Sequence, residues 1–481
     1  MNSTPSPIKS KPPQFISLSF QALVHISLME MQETEEEFLN LRLATAVDTG
    51  GGRKRKKKDE INSYTQLGEE GGKLIAFLQL RDRMLKLDPK KGGVENGKGL
   101  HLIHLLLVSA TTVDENKTIL AAENLSELYK NVSLNGDSIQ RVAAYFADGL
   151  AARLLTRRSP FYDMIMNRPT ANEEFLAFTG LYRASPFFQF AHFTANQAIV
   201  EAFEEEEQHN NRELHVIDFD VLYGFQWPSL IQSLSDKATS SNPISLHITG
   251  FGRRLEELEE TKTRLVNFAK SCRNLDFEFD GFVRGSNPIT LSVKKNETIA
   301  VNLLLHLNTL GSDLQISETL KSIYSLNPSI VVLVEQDGSR SARSFLSRFM
   351  ESLHYFAAMF DSLDDCLPPE SAERLSIEKS HFGKEIKSMM NCEKGEEYHQ
   401  RYERLETWRG RMESVGFGGV KLSSRSLSQA KLLLKIRSHF SQMEFDGGSG
   451  GFKVFERDGG RALSLGWQDR YLITATAWHC A

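Results

Sequence analysis

The stretch "LHVIDFDVLYGFQWPSL" (residues 214–230) joins an unbroken apolar run to two acids, one glycine and a Trp-Pro pair. A short, continuously apolar run that ends in turn residues reads as a strand buried on both faces, as in a parallel sheet. Leu214, His215, Val216, Ile217 and Asp218 are therefore expected to form a central strand, with Gly224 making the turn. Trp227-Pro228 starts the next helix, because a proline in the first turn gives up only an N–H that has no partner there. Downstream, residues 244–250, 275–282, 298–307 and 330–335 read as further strands. Residues 227–234, 255–270 and 317–326 read as the helices between them, the alternating order of a doubly wound α/β fold. A helix at 345–363 carries Phe349, Leu353, Phe356 and Phe360 on one stripe, and another at 396–414 stops at the glycine cap Gly416. Strands at 420–424, 452–457, 462–468 and 471–478 then close the chain in β structure. The expected fold class is α/β: a methyltransferase-like Rossmann core with a parallel sheet and a C-terminal β-hairpin.

Upstream of the sheet, residues 100–110, 120–132 and 139–155 show helical periodicity, and 173–207 adds one or two helices broken by Pro186. They form an N-terminal helical cap. Residues 1–98 read as a mostly disordered arm, rich in Pro, Ser, Lys and Gly, that buries too little apolar surface to offset its ordering entropy. A short helix near 73–86 is the exception. The division is thus an arm at 1–98 and one domain at 99–481, with a helical region at 99–210 and an α/β core at 211–481.

The 481 residues carry 57 Lys plus Arg against 62 Asp plus Glu, so a net charge of -5 supplies no global field for nucleic acid. Cys272, Cys366, Cys392 and Cys480 lack CxxC or Cys/His spacing, which argues against a zinc site and a disulfide framework. No apolar run reaches membrane-spanning length, and no membrane partner is expected. Residues 15–29 are moderately apolar, but Ser, Gln and His interrupt them and no clear cleavage site follows, which argues against a targeting segment.

A cofactor site at this strand end needs several glycines, so that backbone can approach the ligand and a helix can point its N-terminus at it. Here the turn has one glycine, surrounded by Leu222, Tyr223 and Phe225; "GFG" at 250–252 lacks a third glycine and sits one strand late. No cofactor, metal or catalytic residue is assigned. The alternative is a small-molecule or methyltransferase-like site in the strand-end crevice near Asp218, where open α/β sheets leave room. Arg53, Lys54, Arg55, Lys56, Lys57 and Lys58 form six consecutive cations suited to a nuclear import receptor. Leu102, Leu105 and Leu106 have LxxLL spacing, which serves helix-in-groove binding or simply a helix core.

These pieces in this order resemble the GRAS family of plant regulators over about residues 99–481. The family's VHIID motif falls on Leu214, His215, Val216, Ile217 and Asp218, and its two leucine-rich regions on 101–157 and 254–286. Its PFYRE region begins near Thr298, with Pro328, Tyr355, Phe356, Arg401 and Glu403 at its named positions, the last two in "RYER" with Arg404. Trp408, Gly416, Leu465, Trp467 and Trp478 match the closing motif, although "TAW" stands where the family has Ser-Ala-Trp. The "FDVLYGFQWPSLIQSL" wording is most similar to the scarecrow-like and nodulation-signalling-type branch, and the Asp-Glu-Leu-Leu-Ala string of the DELLA branch is missing. The resemblance implies a nuclear transcriptional regulator of development or signalling. It also implies homo- or heterodimers with GRAS proteins, association with other transcription factors, and promoter DNA contact directly or through them.

Overall fold

The computed structural model describes residues 78–81, 84–85, 98–155, 157–209, 211–285, 296–340, 344–392, 401–438 and 451–481. The basic run at 53–58 and nearly all of the arm assigned to 1–98 lie outside the described residues.

The cap comprises α1 (Lys98–Asp114), α2 (Thr118–Asn131), α3 (Ser138–Leu154), α4 (Pro160–Met166), α5 (Ala171–Ala184) and α6 (Pro186–Glu205). α3 starts at a reciprocal capping box between Asp137 and Gln140. Its Val142, Phe146 and Leu150 recur every four residues and are buried. The break between α5 and α6 is local chemistry: Ser185 Oγ accepts from Phe187 N, and Pro186 occupies the first turn.

The core alternates β1 (Glu213–Asp218), α7 (Trp227–Lys237), β2 (Ile244–Gly252), α8 (Leu255–Ala269), β3 (Leu275–Val283), β4 (Thr298–Leu304), α9 (Asp313–Ser325) and β5 (Ile330–Gln336). Then come α10 (Phe345–Cys366), α11 (Ala372–Ile377), α12 (Gly383–Asn391), α13 (Leu405–Val415), β6 (Phe417–Val420), α14 (Ser424–Ser438), β7 (Phe452–Arg457), β8 (Ala462–Trp467) and β9 (Arg470–Cys480). The strands lie in the order β3-β2-β1-β4-β5-β9-β8-β7, with β6 also paired to β9. The first five are parallel and β9 is antiparallel to both β5 and β6. β6 therefore runs with the parallel set, and β9 is the one reversed strand between β5 and β6. That is the methyltransferase-like pattern, extended by the β7–β8 hairpin.

β4 and β5 are buried along their whole length, whereas the edge strand β3 alternates exposed and covered residues. Ile217, Val301, Val331 and Leu333 meet Ile316, Leu320 and Ile323 of α9 together with Trp408, Met412 and Trp478. Each such side chain contributes about 1.5–3 kcal/mol by leaving water.

Several boundaries differ from the sequence reading. The helix expected at 396–414 begins at Leu405, because residues 401–404 leave helical geometry to bond other segments: Arg401 N donates to Asn308 O and Arg340 N to Tyr402 O. The strand expected at 420–424 is instead β6, since Gly416 at φ 115° turns the chain straight from α13 into the sheet. Ser423 then caps α14, a helix the sequence reading missed. The first strand ends at Asp218, whereas the fourth stops at Leu304, short of residue 307, and is followed by Leu305 at φ 52°. α4, α11, α12 and the π-helical turn Glu378–Phe382 were not anticipated.

Candidate functional site

The carboxyl ends of the parallel strands are where an open α/β sheet receives a ligand. β1 delivers Asp218 there with 1% of its surface exposed. Its Oδ1 accepts from Asn302 Nδ2 at 2.9 Å and from Asp220 N at 3.2 Å, and its Oδ2 accepts from Trp227 Nε1 at 3.2 Å. Asn302 and Gln226 exchange bonds at 3.1 and 3.3 Å, and Gln226 Nε2 donates to Asn196 Oδ1 of α6 at 3.0 Å. Burial pushes the Asp218 carboxyl up to about 7, against the pull of its donors and with help from neighbouring Asp220. Asp220 accepts from Leu222 N at 3.2 Å and pairs with Arg284. Both carboxylates thus spend their acceptors on the chain itself.

The glycines of this region are filled in the same way. A β-carbon on Gly224, which has φ 70°, would stand 2.6 Å from Thr261; on Gly250, 2.2 Å from Val221; on Gly252, 2.7 Å from Leu258. The close approach that glycine permits is taken by the protein's own side chains. Above the turn, α5 lays Phe175 and Phe178 on Tyr223 at centroid distances of 5.1 and 5.0 Å, and Phe178 and Tyr182 on Phe225 at 5.5 and 5.2 Å. Arg264 fastens the turn by donating to Tyr223 O at 2.9 Å. The cap therefore plugs the approach to Asp218.

A second buried group lies at the ends of β4 and β5. Glu335 accepts from Asn308 N at 3.2 Å, while its Oε2 and Asn308 Oδ1 accept no hydrogen bond. Burial holds the Glu335 carboxyl well above the usual range and drives His306 down to about 3. Beside them Arg340 is sandwiched between the rings of Tyr402, 3.4 Å from its centroid, and Tyr355 at 3.9 Å, and reaches Glu385 at 3.2 Å. Arg340 escaped the sequence reading, because nothing local marks one arginine as the centre of an aromatic sandwich assembled from three distant segments.

The other motif residues hold the fold. Leu214, Val216 and Ile217 are buried, and His215 bonds Thr249 Oγ1 at 2.8 Å while stacking on His247 at 4.2 Å. Leu102 and Leu106 lie in the core and Leu105 is half-buried, while Leu100 and Ile103 face outward. Arg401 pairs with Asp313, Glu403 receives both Nε and Nη2 of Arg411 at 2.8 Å, and Arg404 reaches Glu351 at 3.4 Å. Trp408 and Trp478 belong to one apolar cluster, Gly416 abuts the Tyr324 ring, Leu465 is buried, and Trp467 Nε1 donates to Asp361 at 2.7 Å. Among the described residues, no group of three or more His, Cys, Asp or Glu is placed to hold a metal ion, and no helix is long and apolar enough to cross a membrane.

Comparison with known proteins bears on this geometry. The GRAS domain family model matches residues 102–479. The chain is 38% identical over 400 residues to Protein SCARECROW of Ipomoea nil, covering 79% of this chain and 46% of that protein. It is 36% identical over 414 residues to Protein SCARECROW of Arabidopsis thaliana, covering 83% and 58% respectively. The chain thus spans about half the length of these relatives, which place it with the scarecrow-like branch. The crystal structure of SCL7 from Oryza sativa superposes with a TM-score of 0.65 at 30% identity, covering 79% of this chain and 99% of that one.

Proposed function

The chain belongs to the GRAS domain family, and on that premise we propose that it is a nuclear transcriptional regulator of plant development or signalling. It works by associating with other GRAS proteins and with transcription factors, and meets promoter DNA through them or beside them. The observation that carries this reading is the strand end itself. Asp218 is saturated by Asn302, Trp227 and Asp220, Val221 fills the space at Gly250, and α5 covers the turn, so the place that would serve catalysis serves packing instead. The protein is accordingly read as a regulator and not an enzyme. The net charge of -5 favours recruitment through partners over a phosphate-neutralising face.

The test is chromatin immunoprecipitation of the tagged full chain from plant nuclei, paired with a reporter driven by the recovered promoters. A chain that enters nuclei yet recovers no promoter above background, and leaves reporters unchanged, ends this reading.

A second reading, a small-molecule or methyltransferase-like site, is favoured by one observation: the unpaired acceptors on Glu335 and Asn308 at the ends of β4 and β5. Calorimetry with S-adenosylmethionine separates the two readings. Micromolar binding lost in Glu335→Gln supports the second, and no heat supports the first.

A further inference from the structure

α6 packs against both α7 and α14. α6 therefore floors a groove of about 250 Å³, and the other two helices are its walls. Its floor carries Phe193 and Val200, one wall carries Leu230, and the other carries Leu432, Leu433 and Ile436. On α14, Gln429, Leu432, Leu433 and Ile436 recur at i, i+3, i+4 and i+7, and on α6 so do Phe193, Asn196, Gln197 and Val200. Two helical stripes thus face one open channel about two turns long.

Leu432 and Ile436 are 55% and 51% exposed, which a helix designed only to pack would avoid. α14 itself is anchored: Arg437 donates to Ala184 O at 2.7 Å and to Arg183 O at 2.8 Å at one end, and Arg425 reaches Glu204 at 3.3 Å at the other. Glu204 also pairs with Lys237 of α7, closing that end of the channel. The wall is therefore fixed before any partner arrives. α14 contains Arg425, Lys431, Lys435 and Arg437 and no acid, and Lys435 stands three residues from Leu432 on the exposed side.

We propose that this groove is a docking site for a helix of a partner protein. That helix carries bulky aliphatic side chains at i, i+3 or i+4, and i+7, and carboxylates along the flank that meets α14. A helix laid parallel to α6 covers Leu432 and Ile436, and its acids complement the basic wall, which is the helix-in-groove mode of recognition. The proposal rests on reading the chain as a regulator that works through protein partners, and assigns one such surface away from the plugged strand end.

The test uses the full chain and a fluorescein-labelled, stapled 15-residue helix with leucines at those positions and glutamates beside them. A second peptide has every glutamate replaced by lysine. Fluorescence anisotropy should give micromolar saturation with the acidic peptide and at least tenfold weaker binding of the basic one. The double variant Leu432→Asp, Ile436→Asp should weaken the acidic peptide at least tenfold with an unchanged thermal melt, and Ser233→Arg, which blocks the channel from α7, should do the same. Absence of binding, equal affinity for the two peptides, or indifference to both variants overturns the proposal. So does a dimer in light scattering that the double variant converts to monomer, since the occupant would then be a second copy. Failure to associate with chromatin sinks the regulator reading and leaves the peptide result standing, so the two failures are distinguishable.

Discussion

Val221 occupies the place of a side chain that Gly250 lacks: its Cγ2 lies 2.2 Å from where a β-carbon on Gly250 would stand. One residue of the turn after β1 is thereby interlocked with the backbone of β2. Gly250→Ala should destabilise the fold by about 1–3 kcal/mol through overpacking. Adding Val221→Ala should recover part of that loss, a coupling of at least about 0.5 kcal/mol in a double-mutant cycle read by denaturant unfolding. Additive losses would show that the two positions do not share the space.

A buried charge cluster joins the cap to the later helices. Arg141 Nε donates to Glu378 at 2.9 Å, with Arg374 3.5 Å from the same carboxylate. Replacing Arg141 by Met leaves Glu378 short of a partner and should cost about 3–5 kcal/mol at neutral pH.

The same carboxylate makes stability depend on pH. Burial raises Glu378 from 4.5 to about 7 despite Arg141 and Arg374. Between those values the folded chain holds a proton that the unfolded chain has lost, so stability falls as pH rises through this window. The contribution is up to about 3 kcal/mol. Asp218, raised to about 7 by burial, acts with the same sign. Chemical denaturation at pH 5 and pH 8 should show the decline, and Glu378→Gln should shrink it while leaving the part due to Asp218.

Gly416 ends α13 at φ 115°, with Tyr324 3.0 Å from its absent β-carbon. Gly416→Ala should cost about 1–3 kcal/mol from the left-handed backbone alone. A thermal melt reads this directly, and an unchanged midpoint would remove Gly416 from the residues that hold β6 in place.

Replacing Arg53, Lys54, Arg55, Lys56, Lys57 and Lys58 with alanine should lower the nuclear-to-cytoplasmic ratio of a fluorescent fusion severalfold, because an import receptor reads consecutive cations. An unchanged ratio would remove the import role from this run.

The parallel strands were legible because each is a short apolar run between turn residues, a pattern that survives without tertiary context. The shortage of glycines near Asp218 was equally local. The plug was not: Phe175 and Phe178 lie some fifty residues from Tyr223 and Phe225, and only the folded cap brings them together. α14 was hidden for a related reason, since its Leu432 and Ile436 stay exposed and leave no tidy division between a buried and a solvated face. The helix expected from residue 396 was shortened by bonds from Arg401 and Arg340 that local propensity does not register.

The position of β9 sets a condition on how the protein is made. Residues 470–480 enter the sheet beside β5, with β8 and β6 on their other side, after β1 to β8 have left the ribosome. Until they arrive, β5 presents a strand that is apolar from Ile330 to Val334 and has an open hydrogen-bonding edge, a template for mispairing with other nascent chains. A premature stop upstream of Arg470 would therefore leave no shortened but serviceable protein. It would release a chain in which β5 and β6 lack their shared neighbour and the β7–β8 hairpin has no sheet to join, and cellular quality control, rather than loss of any surface contact, would decide the phenotype.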